Sequence, residues 1–312
     1  MIEKIYTSVT ALLIMLLCMF SSVFAQSPDD AYRIETFSVD DLPTVQIETS
    51  GGSIKTIGHA ENNVRVEMYV RRSNRYYSPS DTDLEDFEID ISQSGNTVTA
   101  SAERENSGIG GWFNNNRNFS ISFVVYTPSE SIVNGGTSGG SVSAENITHT
   151  LHLRTSGGSV KADRVSGEVS LRTSGGSISL TDSDGTIDAR TSGGSINLDR
   201  TYGNINVRTS GGGIRVTDSG GNLSARTSGG SIRADLGEVT GDLDLRTSGG
   251  SIRIHVPGNT GYDLNLRGNR VNVDLVNFTG SSERNSIEGS MNGGGYKITA
   301  RTSGGSVNVD FI

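Results

Sequence analysis

Seven arginines stand immediately before a repeated Thr-Ser-Gly-Gly, at Arg154, Arg172, Arg190, Arg208, Arg226, Arg246 and, farther along, Arg301. A guanidinium group grips a carboxylate, sulfate or phosphate through two parallel hydrogen bonds. A regular row of them is therefore a ladder of anion sites, suited to the uronic acid, sulfate or phosphate groups of a polymer. The same row also reads as a solvated edge without a ligand. Glu168, Asp188, Asp242 and Asp244 lie on the same face and would neutralise part of it. Hydrated guanidinium groups about 4.8 Å apart repel by less than about 1 kcal/mol per neighbouring pair, so the row is tolerated whether or not an anion binds.

A second candidate chemistry is stacking on sugar rings, by Tyr76 and Tyr77 in the segment Arg71 to Asp83 and by Trp112 and Phe113 in Ser107 to Asn118. Aromatics placed there also suit the covering of an open core end. Catalysis has little support, because polysaccharide cleavage needs paired carboxylates or a basic group in a groove, and the repeat presents small polar residues instead. His59, His149, His152 and His255 share no metal-ligand spacing. A calcium-binding roll sets an Asp in every glycine-rich turn. Here the repeated turn carries Ser, and Asp182-Ser183-Asp184-Gly185 occurs once. A flat ice-binding threonine array fails because Thr173 and its equivalents fall on the inward parity. No catalytic residue, metal ligand or cofactor is expected.

The elements that must carry the arginines follow from the repeat itself. The Thr-Ser-Gly-Gly core begins at Thr137, Thr155, Thr173, Thr191, Thr209, Thr227, Thr247 and Thr302, with an outlier at Thr49, and the first six are eighteen residues apart. The step to Thr247 is longer because Leu236-Gly237-Glu238-Val239 extends a turn. Apolar residues alternate with period two on both sides of the motif, as half-buried strands require. Leu151/Leu153, Val169/Leu171 and Ile187/Ala189 enter it, and Val160/Ala162, Ile178/Leu180 and Ile196/Leu198 leave it. One rung cannot bury its own apolar side, but a stack can. The reading is an all-β parallel β-solenoid with eighteen-residue, two-strand rungs and irregular β caps, its two sheets roughly 10 Å apart. The motif glycines are expected to supply positive φ and close approach between rungs. At the opposite corner, Asp163-Arg164, Thr181-Asp182, Asp199-Arg200 and Thr217-Asp218 alternate in charge and should compensate one another.

Four regions result: residues 1–25 a signal peptide, 26–130 an N-terminal β cap, 131–255 the regular solenoid, and 256–312 a C-terminal β region closing on a final repeat. Lys4, the apolar stretch Ala11 to Phe20 and Val23-Phe24-Ala25 have the makings of a cleaved export signal. The apolar stretch is too short to span a membrane. No transmembrane anchor is expected after cleavage, and the protein should reside in the periplasm, at the cell surface or outside the cell. Cys18 is the one cysteine, so disulfides contribute nothing. The net charge of −9 belongs to the N-terminal third, the repeat body being neutral, which argues against nucleic acid as a partner.

The signal peptide, the strand Phe119 to Tyr126 followed by Pro128, the repeated T-S-G-G-S-[IV] and the closing Gly-Gly-Gly-Tyr-Lys-Ile-Thr-Ala-Arg-Thr-Ser-Gly-Gly-Ser-Val resemble the bacterial putative-adhesin family of β-strand-repeat domains, an exported domain of unknown function. The resemblance covers the mature chain and departs from pattern at Gly136, where an arginine is expected. It implies the solenoid fold and supplies no binding residues. The expectation is an exported non-enzymatic module, either an adhesin-like surface or matrix binder of anionic polysaccharide, or a periplasmic scaffold that binds an envelope protein.

Overall fold

The computed structural model describes residues 30–73, 75–82, 84–104 and 119–312. The export signal, Trp112 and Phe113 lie outside the described residues. Every inward pair named above is buried, at 4% exposure or less, and the Val, Ile and Leu side chains form one continuous core. The strands form a single hydrogen-bonded system in which equivalent strands of successive rungs pair in parallel and in register. The parallel β-solenoid follows from this pairing.

Rungs are stacked out of chain order at both ends. Among the described residues, the strands entering the motif run in space Thr97–Arg104, Thr44–Thr49, Ile132–Thr137, Thr150–Thr155 and so on to Leu243–Thr247, Tyr296–Thr302 and Tyr262–Arg267. The strands leaving it follow the same order, from Ser120–Pro128 and Ile54–His59 to Ile252–Val256, Ser306–Phe311 and Arg270–Val273. Each series holds eleven parallel strands, about 48 Å of stack at ~4.8 Å per step. The Thr49 outlier is thus a full rung beneath Thr137, and the Thr302 rung sits directly on Thr247.

Antiparallel strands close both ends. Phe87–Ser94 covers Thr97–Arg104, and Asn63–Arg72 covers Ser120–Pro128. At the far end Ser286–Met291 covers Tyr262–Arg267 and pairs with Phe278–Glu283. The polar stretch Gly280 to Ser290, which by composition reads as a loop, belongs to paired strands. The segment is a hairpin, whose weak apolar pattern reflects the small buried share its outermost position needs.

Of the two roles expected of the motif glycines, close approach is found and positive φ is not. No motif glycine has a left-handed φ. The second glycine is required by close approach instead, since a Cβ on Gly158, Gly176 or Gly194 would lie 2.0 Å from the carbonyl oxygen of its counterpart one rung below. Left-handed backbone occurs at the opposite corner, at Arg164, Asp182, Arg200 and Asp218 with φ between 48 and 52°, and again at Gly167, Gly185, Gly203 and Gly221. This corner is not a loose reversal. Ile178–Arg190 and Ile196–Arg208 are continuous strands through it, with Ser183, Thr201 and Ser219 buried beneath. Ser183 and Ser219 donate to the carbonyls of Thr181 and Thr217 at 2.7 and 2.8 Å, which satisfies their buried hydroxyls.

Candidate functional site

The motif threonine explains why the arginines are held so regularly. Thr173 is buried, and its Oγ1 donates to the Gly158 carbonyl of the rung below at 2.8 Å and accepts from Gly176 N at 3.2 Å. The same pair of bonds recurs at Thr155, Thr191, Thr227 and Thr247. Each threonine pins its rung to the one below, so the residue before it emerges at the same place in every rung. Arg154, Arg172, Arg190, Arg208, Arg226, Arg246 and Arg301 are consecutive register neighbours, and Arg267 extends the column by one. Arg267 lacks a Thr-Ser-Gly-Gly after it. Only the alternation in Tyr262 to Leu266 could have signalled its place.

Neutralisation of this ladder is uneven. Asp188 pairs with Arg172 at 3.4 Å and Arg190 at 2.9 Å, and Asp244 pairs with Arg226 at 2.6 Å and Arg246 at 2.7 Å. Arg154 reaches over Gly136 to Glu48 at 2.7 Å. A Cβ on Gly136 would sit 2.3 Å from the Glu48 carboxylate and 2.8 Å from Arg154 Nε, so the missing arginine makes room for an ion pair that skips a rung. Glu168 approaches His152 instead, and Asp242 accepts from Lys297 N. Arg208 differs from all of these. Its neighbours in the adjacent column are Asn206 and Ser224, Asn206 donates to Asp188, and the Arg208 side chain has no hydrogen bond or ion pair among the described residues. It is exposed. Arg208, Arg226, Arg246 and Arg301 line a shallow cavity of about 450 Å³ together with motif threonines and serines.

The aromatic candidates are partly engaged already. Tyr77 meets Phe119 edge-on at 5.1 Å and lies under the Arg75 guanidinium at 5.1 Å, while Tyr76 meets Tyr69 edge-on at 6.1 Å. Both are half-buried. The alternating corner pairs within itself. Arg164 bonds Asn146 Oδ1 at 2.7 Å and pairs with Asp163, and Arg200 bonds Asp182 at 2.5 Å and pairs with Asp199. The Arg200 hydrogen bond holds the Asp182 carboxyl below the usual carboxylate range and raises the guanidinium in turn.

A second arginine column went unnoticed in the sequence. Arg215, Arg233 and Arg253 are register neighbours on the outward face of the strands leaving the motif. Their common position three residues after the Thr-Ser-Gly-Gly, each following a buried isoleucine, was the available signal.

The family model Toastrack DUF4097 matches residues 23–310. No curated protein matches the chain. Among solved structures, the crystal structure of "a putative cell adhesion protein from Clostridium sporogenes ATCC 15579" is 11% identical, covering 89% of this chain and 98% of that one at a TM-score of 0.20, a likeness too slight to carry an argument. No helix among the described residues is long and apolar enough to cross a membrane.

Proposed function

The chain belongs to the Toastrack DUF4097 family, and from that premise we propose that it is an exported, non-enzymatic, adhesin-like module whose arginine ladder binds an anionic surface or matrix polysaccharide. The observation that carries this reading is Arg208. It stands mid-ladder, exposed, in register with paired arginines on both sides and with no carboxylate of its own. An anionic group there gains a guanidinium without first displacing an internal partner. The flanking arginines, each sharing an aspartate with its neighbour, keep donors free for adjacent groups of the same polymer.

Two experiments test this. Retention on an immobilised acidic polysaccharide is measured for the wild type, Arg208→Gln, and the triple variant Arg172→Gln, Arg190→Gln, Arg208→Gln. Earlier elution in salt is expected for the single variant and more so for the triple. Unchanged retention would remove the ladder as the binding surface and favour a protein partner. Cell fractionation with N-terminal sequencing tests export, and a precursor retained unprocessed in the cytoplasm would refute it.

A further inference from the structure

The second column offers a more compact site. Arg215, Arg233 and Arg253 are flanked by Asn197 on one side and Asn308 on the other. Their column runs from Lys55 to Asn272 without a carboxylate. On this face an acid can neutralise the base two residues before it on the same strand, as Asp235 does for Arg233 at 2.5 Å. The same offset puts Thr217 beside Arg215 and His255 beside Arg253. Neither guanidinium has a hydrogen bond or ion pair among the described residues, and both are exposed. His255 lies between Asp235 and Asp310, at 2.6 and 2.9 Å.

The motif itself changes at this place. Of the Thr-Ser-Gly-Gly cores, the one at Thr209 is followed by Gly213 rather than serine. In several other rungs that serine accepts a hydrogen bond from the N–H of the serine one rung above, as Ser177 does from Ser195 at 3.3 Å and Ser231 from Ser251 at 3.2 Å. Gly213 has no hydroxyl to offer, so the Ser231 N–H lacks this acceptor. Gly213, Ser231 and the three arginines border one cavity of about 460 Å³. Stacked cations, a released backbone donor and a notch where the repeat elsewhere has a side chain coincide in one spot.

We infer that Arg215, Arg233 and Arg253, with the Gly213 notch, form a discrete site for an acidic oligosaccharide whose carboxylate or sulfate groups recur near the rung spacing. The site lies on the opposite sheet from the ladder and stands or falls independently of it. Calorimetric titration is done with the protein carrying Arg172→Gln, Arg190→Gln and Arg208→Gln, using a tetragalacturonate as the carboxylate probe and a heparin tetrasaccharide as the sulfated one. One-to-one binding of at least one probe is expected, and the stronger probe identifies the anion. Adding Arg215→Gln with Arg253→Gln should weaken it at least roughly tenfold, given the strength of charge-assisted hydrogen bonds. Gly213→Ser should weaken it comparably while keeping the melting temperature, because serine occupies this position in the other rungs. Absence of binding by both probes, or binding that survives both changes, would overturn the site.

Discussion

The two glycines of the motif make opposite predictions when each is replaced by alanine. A Cβ on Gly176 would lie 2.0 Å from the Gly158 carbonyl oxygen, whereas on Gly175 the nearest atom is 3.6 Å away. Gly176→Ala therefore forces neighbouring rungs apart by more than roughly 1 Å, since ordinary contact begins above 3 Å. The carbonyl it strikes is the acceptor for the buried Thr173 hydroxyl at 2.8 Å. Overpacking costs about 1–3 kcal/mol and a stranded buried hydroxyl about 1–3 kcal/mol more, so a loss of about 2–6 kcal/mol is expected. For a cooperative unit of this size that is a fall in melting temperature of roughly 5–20 °C. Gly175→Ala has room and no left-handed φ, and should raise stability by about 0.4–1 kcal/mol by restricting the unfolded chain. Circular dichroism melts and urea titrations of the two variants decide the matter. Close approach is refuted as the reason for the second glycine if Gly176→Ala melts with the wild type, or if both variants fall equally.

Thr191→Val keeps the shape but removes both staple bonds of its rung, and should cost about 1–3 kcal/mol in urea unfolding, whereas Ser192→Ala, at an exposed position, should stay within about 0.5 kcal/mol. Asp182→Asn tests the compensated corner: Arg200 lowers the folded-state value of the Asp182 carboxyl, so its contribution is present above the unfolded value and is lost as pH falls through the folded one. At this exposed site the variant should melt about a degree below wild type near neutral pH and coincide with it in acid; a gap that persists in acid would assign the effect to the left-handed backbone instead. Burial, then the hydrogen bond to Glu67, raises the Tyr69 hydroxyl, and burial raises Tyr262. In an ultraviolet titration to about pH 11 these two should therefore stay protonated, and Tyr69→Phe should leave the ionising amplitude unchanged.

The regular rungs were legible because three signals agree in each: alternation of aliphatic residues, a fixed period, and a motif too small to be anything but a tight corner. That agreement also puts the arginines in register from the sequence alone. What escaped was non-local. Nothing near Thr49 or Thr302 states that their rungs lie between segments remote in sequence, because parallel pairing is fixed by edges that meet only in the folded chain. The corner was half legible for a related reason: of the two roles the Gly-Gly pair suggested, close approach to the rung beneath holds and positive φ does not. The αL positions fell to Arg164, Asp182 and Arg200, where sequence suggested only charge pairing. Whether a given arginine is paired was illegible too, since Arg208 and Arg190 share the same motif and differ only in whether Asp188 or Asn206 stands two residues before them.

The out-of-order rungs bear on recognition as well as on folding. A stack of identical rungs has no internal reason to stop, and an open strand edge would pair with another copy. Here the rung of residues 296–311 is gripped between Leu243–Val256 and Tyr262–Val273, and the rung of residues 44–59 is gripped in the same manner. Antiparallel strands, which cannot continue the motif, cover the outer edges of Tyr262–Arg267, Ser120–Pro128 and Thr97–Arg104. The ladder consequently has a fixed length, from Arg154 to Arg267, about 34 Å at the rung spacing. If the ladder binds a polyanion as proposed, a rigid row of that extent would discriminate by polymer length rather than by any single contact. Each arginine would then contribute a weak, salt-sensitive interaction, and only a chain long enough to meet several at once would gain the effective concentration that makes binding tight.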